Sequence, residues 1–158
     1  LNDKNYNPLM HNHWSQTLET LIDWLAIDDT LTDAVVVRRL VEVLAHAPHP
    51  DLVQGVRKLD TGTVERLLAA GAADALALRL IGAQSGFFAS RGAGGEYLVS
   101  VVLPGQAAEM TAAGPTLVRA IVCALALTLS QSDDGAGHAP DPAYAGLHSP
   151  PVAGATLH

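Results

Sequence analysis

Cysteine is almost absent from this chain: Cys123 is the only one in 158 residues. No disulfide can form within the chain, and the setting expected from that is reducing and intracellular. Aromatic residues are scarce at 4%, so the core must be aliphatic, built from Ala, Leu and Val. Basic residues are few as well. Nine Lys and Arg stand against sixteen Asp and Glu, a net charge of −7, and Arg38-Arg39 and Arg57-Lys58 are the only basic doublets. Such a surface repels a phosphate backbone, and no nucleic-acid partner is expected. The first eight residues lack the positively charged start and apolar stretch of an export signal, which again points to the cytoplasm. Long apolar runs are missing too. The best, residues 117–129, reaches roughly 20 Å as a helix against the about 30 Å of a hydrocarbon core, so no membrane association is expected.

What is present is enough apolar material, 49% of the residues, for one domain with a real core or one domain plus a helical extension. Trp14, Leu18, Leu21, Ile22 and Leu25 recur at helical spacing, with Asn12 or Ser15 available as a cap. Val37, Leu40, Val41 and Leu44 form a second stripe, capped by Thr30 or Thr32, with Asp33 in the first turn and Pro48 and Pro50 as the stop. Asp51 restarts a short helix carrying Leu52, Val53, Val56 and Leu59. Asp60 or Thr61 caps another with Val64, Leu67 and Leu68, and residues 72–83 form a further narrow stripe.

The pattern then changes. Residues 87–89 read as a short strand, 91–95 as a glycine-rich hairpin loop and 96–103 as the clearest strand. Tyr97, Val99, Val101 and Leu103 alternate with Leu98, Ser100 and Val102, so both faces are apolar and helices are expected on both. Pro104-Gly105 predicts a turn, and 107–111 a third strand. Pro115 is placed at the first position of a closing helix, 117–129, in which only Arg119 and Thr128 are polar. The fold class is therefore α+β: a small antiparallel sheet of two or three strands covered by helices and preceded by a helical segment. The organisation expected is an N-terminal extension at 1–13, a helical segment at 14–70, a sandwich-like unit at 71–130, and a mobile Pro/Gly/Ala-rich tail at 131–158.

The phrases Gly94-Gly95-Glu96-Tyr97-Leu98-Val99-Ser100-Val101-Val102 and Ala112-Ala113-Gly114-Pro115-Thr116-Leu117-Val118-Arg119-Ala120-Ile121-Val122-Cys123-Ala124 carry a resemblance. Over residues 72–129 the chain resembles small phage and prophage proteins of the α/β/α-sandwich type. The resemblance implies an accessory protein of phage or mobile-element origin, with no catalytic set to carry over. The chain departs from that pattern in a glycine-rich turn that lacks the aromatic residues expected there and in the helical segment of about seventy residues that precedes the match.

Candidate chemistry is sparse. His46, His49 and Asp51 lie close enough in sequence to offer imidazole and carboxylate to one metal ion, and His11 or His13 could complete the set. Pro48 and Pro50 mark the same segment as an exposed inter-helix turn. The loop 91–96 lacks the Gly-Lys-Ser/Thr of a phosphate cradle and is followed by a strand instead of a helix. Cys123 falls in the apolar helix, where it serves as a small hydrophobe. Ser85 and Ser90 lack the setting of an esterase elbow. Asp23, Asp28, Asp29 and Asp33 could present a negative patch to a basic partner or bind a divalent cation, but they do not follow the spacing of an EF-hand loop, and helix capping accounts for Asp28, Asp29 and Asp33. No catalytic residue, metal site or cofactor is assigned. The function expected is a non-enzymatic interaction or accessory protein with a protein partner, a second copy of the chain included; the alternative is a small metal-dependent protein using His46, His49 and Asp51.

Overall fold

The computed structural model describes residues 8–106 and 108–134. Residues 1–7, 107 and 135–158, which hold most of the expected tail and part of the expected N-terminal extension, lie outside the described residues, as do the side chains of Pro8, His11 and residues 132–134. Helix α1 (Pro8–Ile27) opens on a proline, four residues before the expected Asn12 cap. Helix α2 (Asp33–Ala45) is capped by Thr32, whose hydroxyl accepts the Val35 N–H. Thr30 does a different job. Its hydroxyl and its N–H both donate to Asp28 Oδ1, at 2.6 and 2.9 Å, and these bonds hold the Asp28 carboxyl below its ordinary range.

The helix expected to restart at Asp51 is a single 3₁₀ turn (Pro50–Val53) capped by the His49 ring. Gly55 ends it by turning at φ 88°, a conformation that glycine adopts without strain. The turn brings two backbones into contact. Gly82 N–H donates to the Gly55 carbonyl at 2.8 Å, Ser85 Oγ donates to the same oxygen at 2.6 Å, and Val56 bridges to Ile81. A β-carbon on Gly82 would stand 2.4 Å from that oxygen. Gly82→Ala is therefore expected to destabilise by about 1–3 kcal/mol, as an overpacked junction does, read as a lower urea midpoint at unchanged slope.

Asp60 caps helix α3 (Thr61–Ala69), accepting both the N–H and the hydroxyl of Thr63, which holds its carboxyl low. Helix α4 (Ala73–Leu80) follows, then strands β1 (Gly86–Arg91), β2 (Tyr97–Val102) and β3 (Met110–Gly114) in an antiparallel sheet of order β1-β2-β3. The third strand sits later than the expected 107–111. In this register Met110, Ala112 and Gly114 lie opposite Val101, Val99 and Tyr97, and the small residues Ala112 and Gly114 fall where the closing helix approaches.

That helix, α5 (Leu117–Asp134), is capped by Thr116, with Pro115 one residue outside instead of at the first helical position. It runs through the middle of the molecule. One side packs on β2 and β3, the other on α1, α2 and α4, which explains why it is apolar nearly all round. Its less buried stripe, Cys123, Leu127 and Ser130, follows the helical period. Gln106 Nε2 donates to the Thr128 carbonyl at 3.1 Å and so ties the β2–β3 connection to the helix.

The described chain is thus α+β, with helices preceding an antiparallel sheet, as the residue pattern implies. The expectation of a helix on each face of the sheet is corrected. Only the face bearing Val99, Val101 and Ala112 is buried; on the opposite face Phe88 is 65% and Leu98 40% exposed. Helix α4, expected as the second cover, packs on α5, α2 and α3. The sheet's apolar outer residues are left in solvent, and Ser100 and Thr111 hydrogen-bond across that face at 2.7 Å.

Candidate functional site

The residues singled out by sequence are mostly occupied by structural tasks. His46 Nδ1 donates to the Glu42 carbonyl at 2.7 Å. His49 Nδ1 accepts the Asp51 N–H at 3.3 Å and lies 3.3 Å from Asp51 Oδ2. His46, His49 and Asp51 do not converge, and among the described residues no three His, Cys, Asp or Glu side chains come together as a metal site. Asp33 accepts the Thr116 hydroxyl at 2.7 Å, and Asp29 lies 3.9 Å from Arg119. The loop at 91–96 is a hairpin turn in which Gly95 adopts φ 94°. Ser85 is spent on Gly55.

Cys123 is partly buried, and desolvation pushes its thiol above the ordinary range. A thiol so placed carries little thiolate near neutral pH. Alkylation at pH 8 should therefore run at least tenfold slower in the folded protein than in urea, measured by mass spectrometry; equal rates would contradict the burial.

The feature that remains is a trough between α1 and α2. Trp14 sets it: its indole N–H donates to the Val43 carbonyl at 2.9 Å, a buried bond that fixes one helix against the other. Two hollows open on the outer side of this contact. One, of about 570 Å³, is lined by Leu9, Met10, His13, Trp14, Thr17, Arg39, Glu42, Val43, His46 and Pro48. The other, of about 500 Å³, is lined by Thr17, Thr20, Leu21, Trp24, Val35, Arg38, Arg39 and Glu42. They share Thr17, Arg39 and Glu42, so they form one trough crossed by a polar saddle. On the saddle Arg39 Nη1 pairs with Glu42 Oε2 at 3.0 Å, and beside it Arg38 Nη2 pairs with Glu65 Oε2 of α3 at 2.9 Å.

The trough is apolar in its walls and mixed in charge at its rim. It brings His13, His46 and Glu42 to the same hollow, but among the described residues no three such side chains come together as a metal site. The Thr17 hydroxyl, which lines the same hollow, donates to the His13 carbonyl at 2.9 Å. What the arrangement offers is shape, apolar surface and a few polar anchors, which are means of recognition.

Sequence reasoning missed it, yet a signal was there. Met10, His13, Thr17, Thr20 and Trp24 share one helical face, as do Val35, Arg39, Glu42 and His46. Each is a second stripe beside the core stripe. Val35, 46% exposed, and Met10, 63% exposed, are its visible mark. A scan against protein-family models found no match, and searches of curated proteins and of solved structures found none either.

Proposed function

We propose that the protein is a non-enzymatic interaction module that receives an apolar helical segment of a partner protein in the α1–α2 trough. The observation that carries this reading is the trough itself: two connected hollows with Trp14 and Trp24 in their walls and a polar saddle between. From Met10 to Trp24 the lining of α1 spans about 21 Å, which matches about four turns of a docked helix. Helix-in-groove recognition places apolar anchors at i, i+3 or i+4 and i+7, and the saddle divides the trough into two such anchor sites. Of the histidines conspicuous in sequence, His46 is bonded to a helix carbonyl and His49 to a cap.

The reading includes a cytoplasmic setting, which a lone unpaired cysteine supports, and an accessory role of phage or mobile-element origin, which neighbouring genes would test. Among the described residues no helix is long and apolar enough to cross a membrane.

The experiment is a selection of helical peptides displayed against the wild-type chain and counter-screened on Thr17→Arg, which fills the saddle from a half-buried position. Selected peptides should carry apolar residues at helical spacing and bind the variant at least tenfold more weakly. Equal binding to both would remove the trough as the site. Turnover of ester, phosphate or nucleotide substrates that a single substitution abolishes would remove the non-enzymatic reading.

A further inference from the structure

Strand β1 lies at one edge of the sheet, and the hairpin fixes which of its backbone groups are free. Gly92 N–H donates to the Glu96 carbonyl at 2.8 Å, continuing the register in which Arg91 faces Tyr97. Because an antiparallel ladder alternates, the groups of Gly86, Phe88 and Ser90 point to β2, and those of Phe87, Ala89 and Arg91 point outward. Only another extended backbone answers such a row of alternating donors and acceptors.

We propose that β1 is a self-association edge: two copies pair their β1 strands antiparallel about a two-fold axis through Ala89, joining two three-stranded sheets into one of six. This proposal stands apart from the trough and does not depend on it.

Edges of stable monomers are guarded by charge, proline or a bulge. This one is not. Its pairing with β2 runs without a bulge from Gly86 opposite Val102 to Arg91 opposite Tyr97, it contains no proline, lysine or acid, and Phe87 and Phe88 are 49% and 65% exposed.

The strand is also complementary to itself. A two-fold axis perpendicular to the sheet keeps each residue on its own face, so Phe87 meets the partner's Arg91, Phe88 meets the partner's Ser90, and Ala89 meets its own copy. Every outward N–H and carbonyl of the three residues then finds a partner. Charge permits the contact despite the net −7, because Arg91 is the one charged residue of β1. In this register the two Arg91 residues are about 14 Å apart along the strands, more than the about 8 Å screening length at physiological salt.

Area sets the strength. A phenylalanine presents roughly 200 Å², so four rings with these exposures contribute about 450 Å². With the backbone strip added, the contact falls at the small end of specific interfaces, those of about 1,200 Å² or less. The pair is therefore a weak, concentration-dependent dimer.

The test uses the full chain and three proteins: wild type, Ala89→Lys and Ala89→Glu. Ala89 is exposed, so either change is compatible with the folded monomer, which circular dichroism checks. Sedimentation should show wild-type dimer growing with concentration, each variant at least tenfold weaker because like charges meet on the axis, and dimer restored in the equimolar mixture of the two variants. In wild type, amide exchange at Phe87, Ala89 and Arg91 should slow as concentration rises, whereas exchange at Phe88 and Ser90 should not depend on it; this readout decides the matter if the variants fail to fold. A wild-type chain that stays monomeric at all concentrations, with the edge left free or taken by another segment of its own chain, overturns the proposal. So does a dimer that survives both variants unweakened, which would place the contact on another surface.

Discussion

Arg119→Ala is expected to lower the unfolding free energy by about 3 kcal/mol, more than any other change to a charged residue among the described positions. The Arg119 side chain is 5% exposed and leaves the first turn of α5 for the loop between α1 and α2. There Nη1 donates to the Asp28 carbonyl at 3.0 Å and Nη2 to the Leu31 carbonyl at 2.8 Å. Removing the guanidinium deprives two carbonyls of their donors and opens a void where its stem packed. Thr116 reinforces the same joint by donating to Asp33 at the start of α2. The carboxylate of Asp29 contributes little. It is 3.9 Å from Nη1 and its side chain is 93% exposed, where water and salt screen the pair. Asp29→Ala should therefore change stability by less than about 0.5 kcal/mol. Arg119→Lys should fall between, because an ammonium cannot reproduce the planar fork that spans both carbonyls. Urea unfolding of the three variants checks the ranking; an Asp29→Ala effect as large as that of Arg119→Ala would show that the ion pair, and not the carbonyl bonds, holds the joint.

Leu125→Ala carries the other large effect, about 3–4 kcal/mol. Leu125 is fully buried in α5, the helix that has the sheet on one side and α1, α2 and α4 on the other. A void at such a position is enclosed by elements that already pack on one another, so the surroundings collapse into it only partly. Leu127 supplies the control within the same helix. It belongs to the less buried stripe, and Leu127→Ala should cost about half as much or less. Equal losses at the two positions would mean that α5 is not enclosed on two sides. Thermal and urea midpoints measured on the same preparations give the comparison.

The helical half and the closing helix were legible because their chemistry is local. Thr32 and Asp60 are caps whose side chains bond the N–H three residues on, and the α4 stripe buries Ala73, Leu76, Ala77 and Leu80 as its spacing selects; on α2 the buried face is turned, with Val36 and Val43 inside and Val41 and Leu44 only partly covered, and on α3 Val64 alone is fully buried. The boundaries that moved did so for non-local reasons. The turn at Pro50–Val53 does not continue as a helix because Gly55 must present its carbonyl to Gly82 and Ser85, partners some thirty residues away. The strand β3 shifted toward Gly114 because the backbone of α5 passes there: a β-carbon on Gly114 would stand 2.8 Å from Ala120 N. The two-sided apolar pattern of β2 was read as a demand for two covers, but the same pattern is compatible with an outer face that stays open. The trough was hidden for a related reason. A single strong core stripe dominates each helical pattern, and the second stripe of α1 and of α2 gains meaning only when the two helices lie side by side. The histidines of the 46–51 segment were conspicuous in sequence because they cluster there, and the structure turns one ring to a helix carbonyl and the other to a cap.

The trough as a docking site for a helical segment is tested most directly by heteronuclear NMR of the chain titrated with a selected peptide. Trp14 and Trp24 are the only tryptophans, and both line the trough, so the spectrum contains two indole N–H signals that report on it. The result predicted is a saturable shift of the Trp24 indole and of the Thr17, Arg39 and Glu42 amides, with Phe88 and Leu98 on the open face of the sheet unmoved. Shifts confined to the sheet, with both indole signals unchanged at saturation, would contradict it.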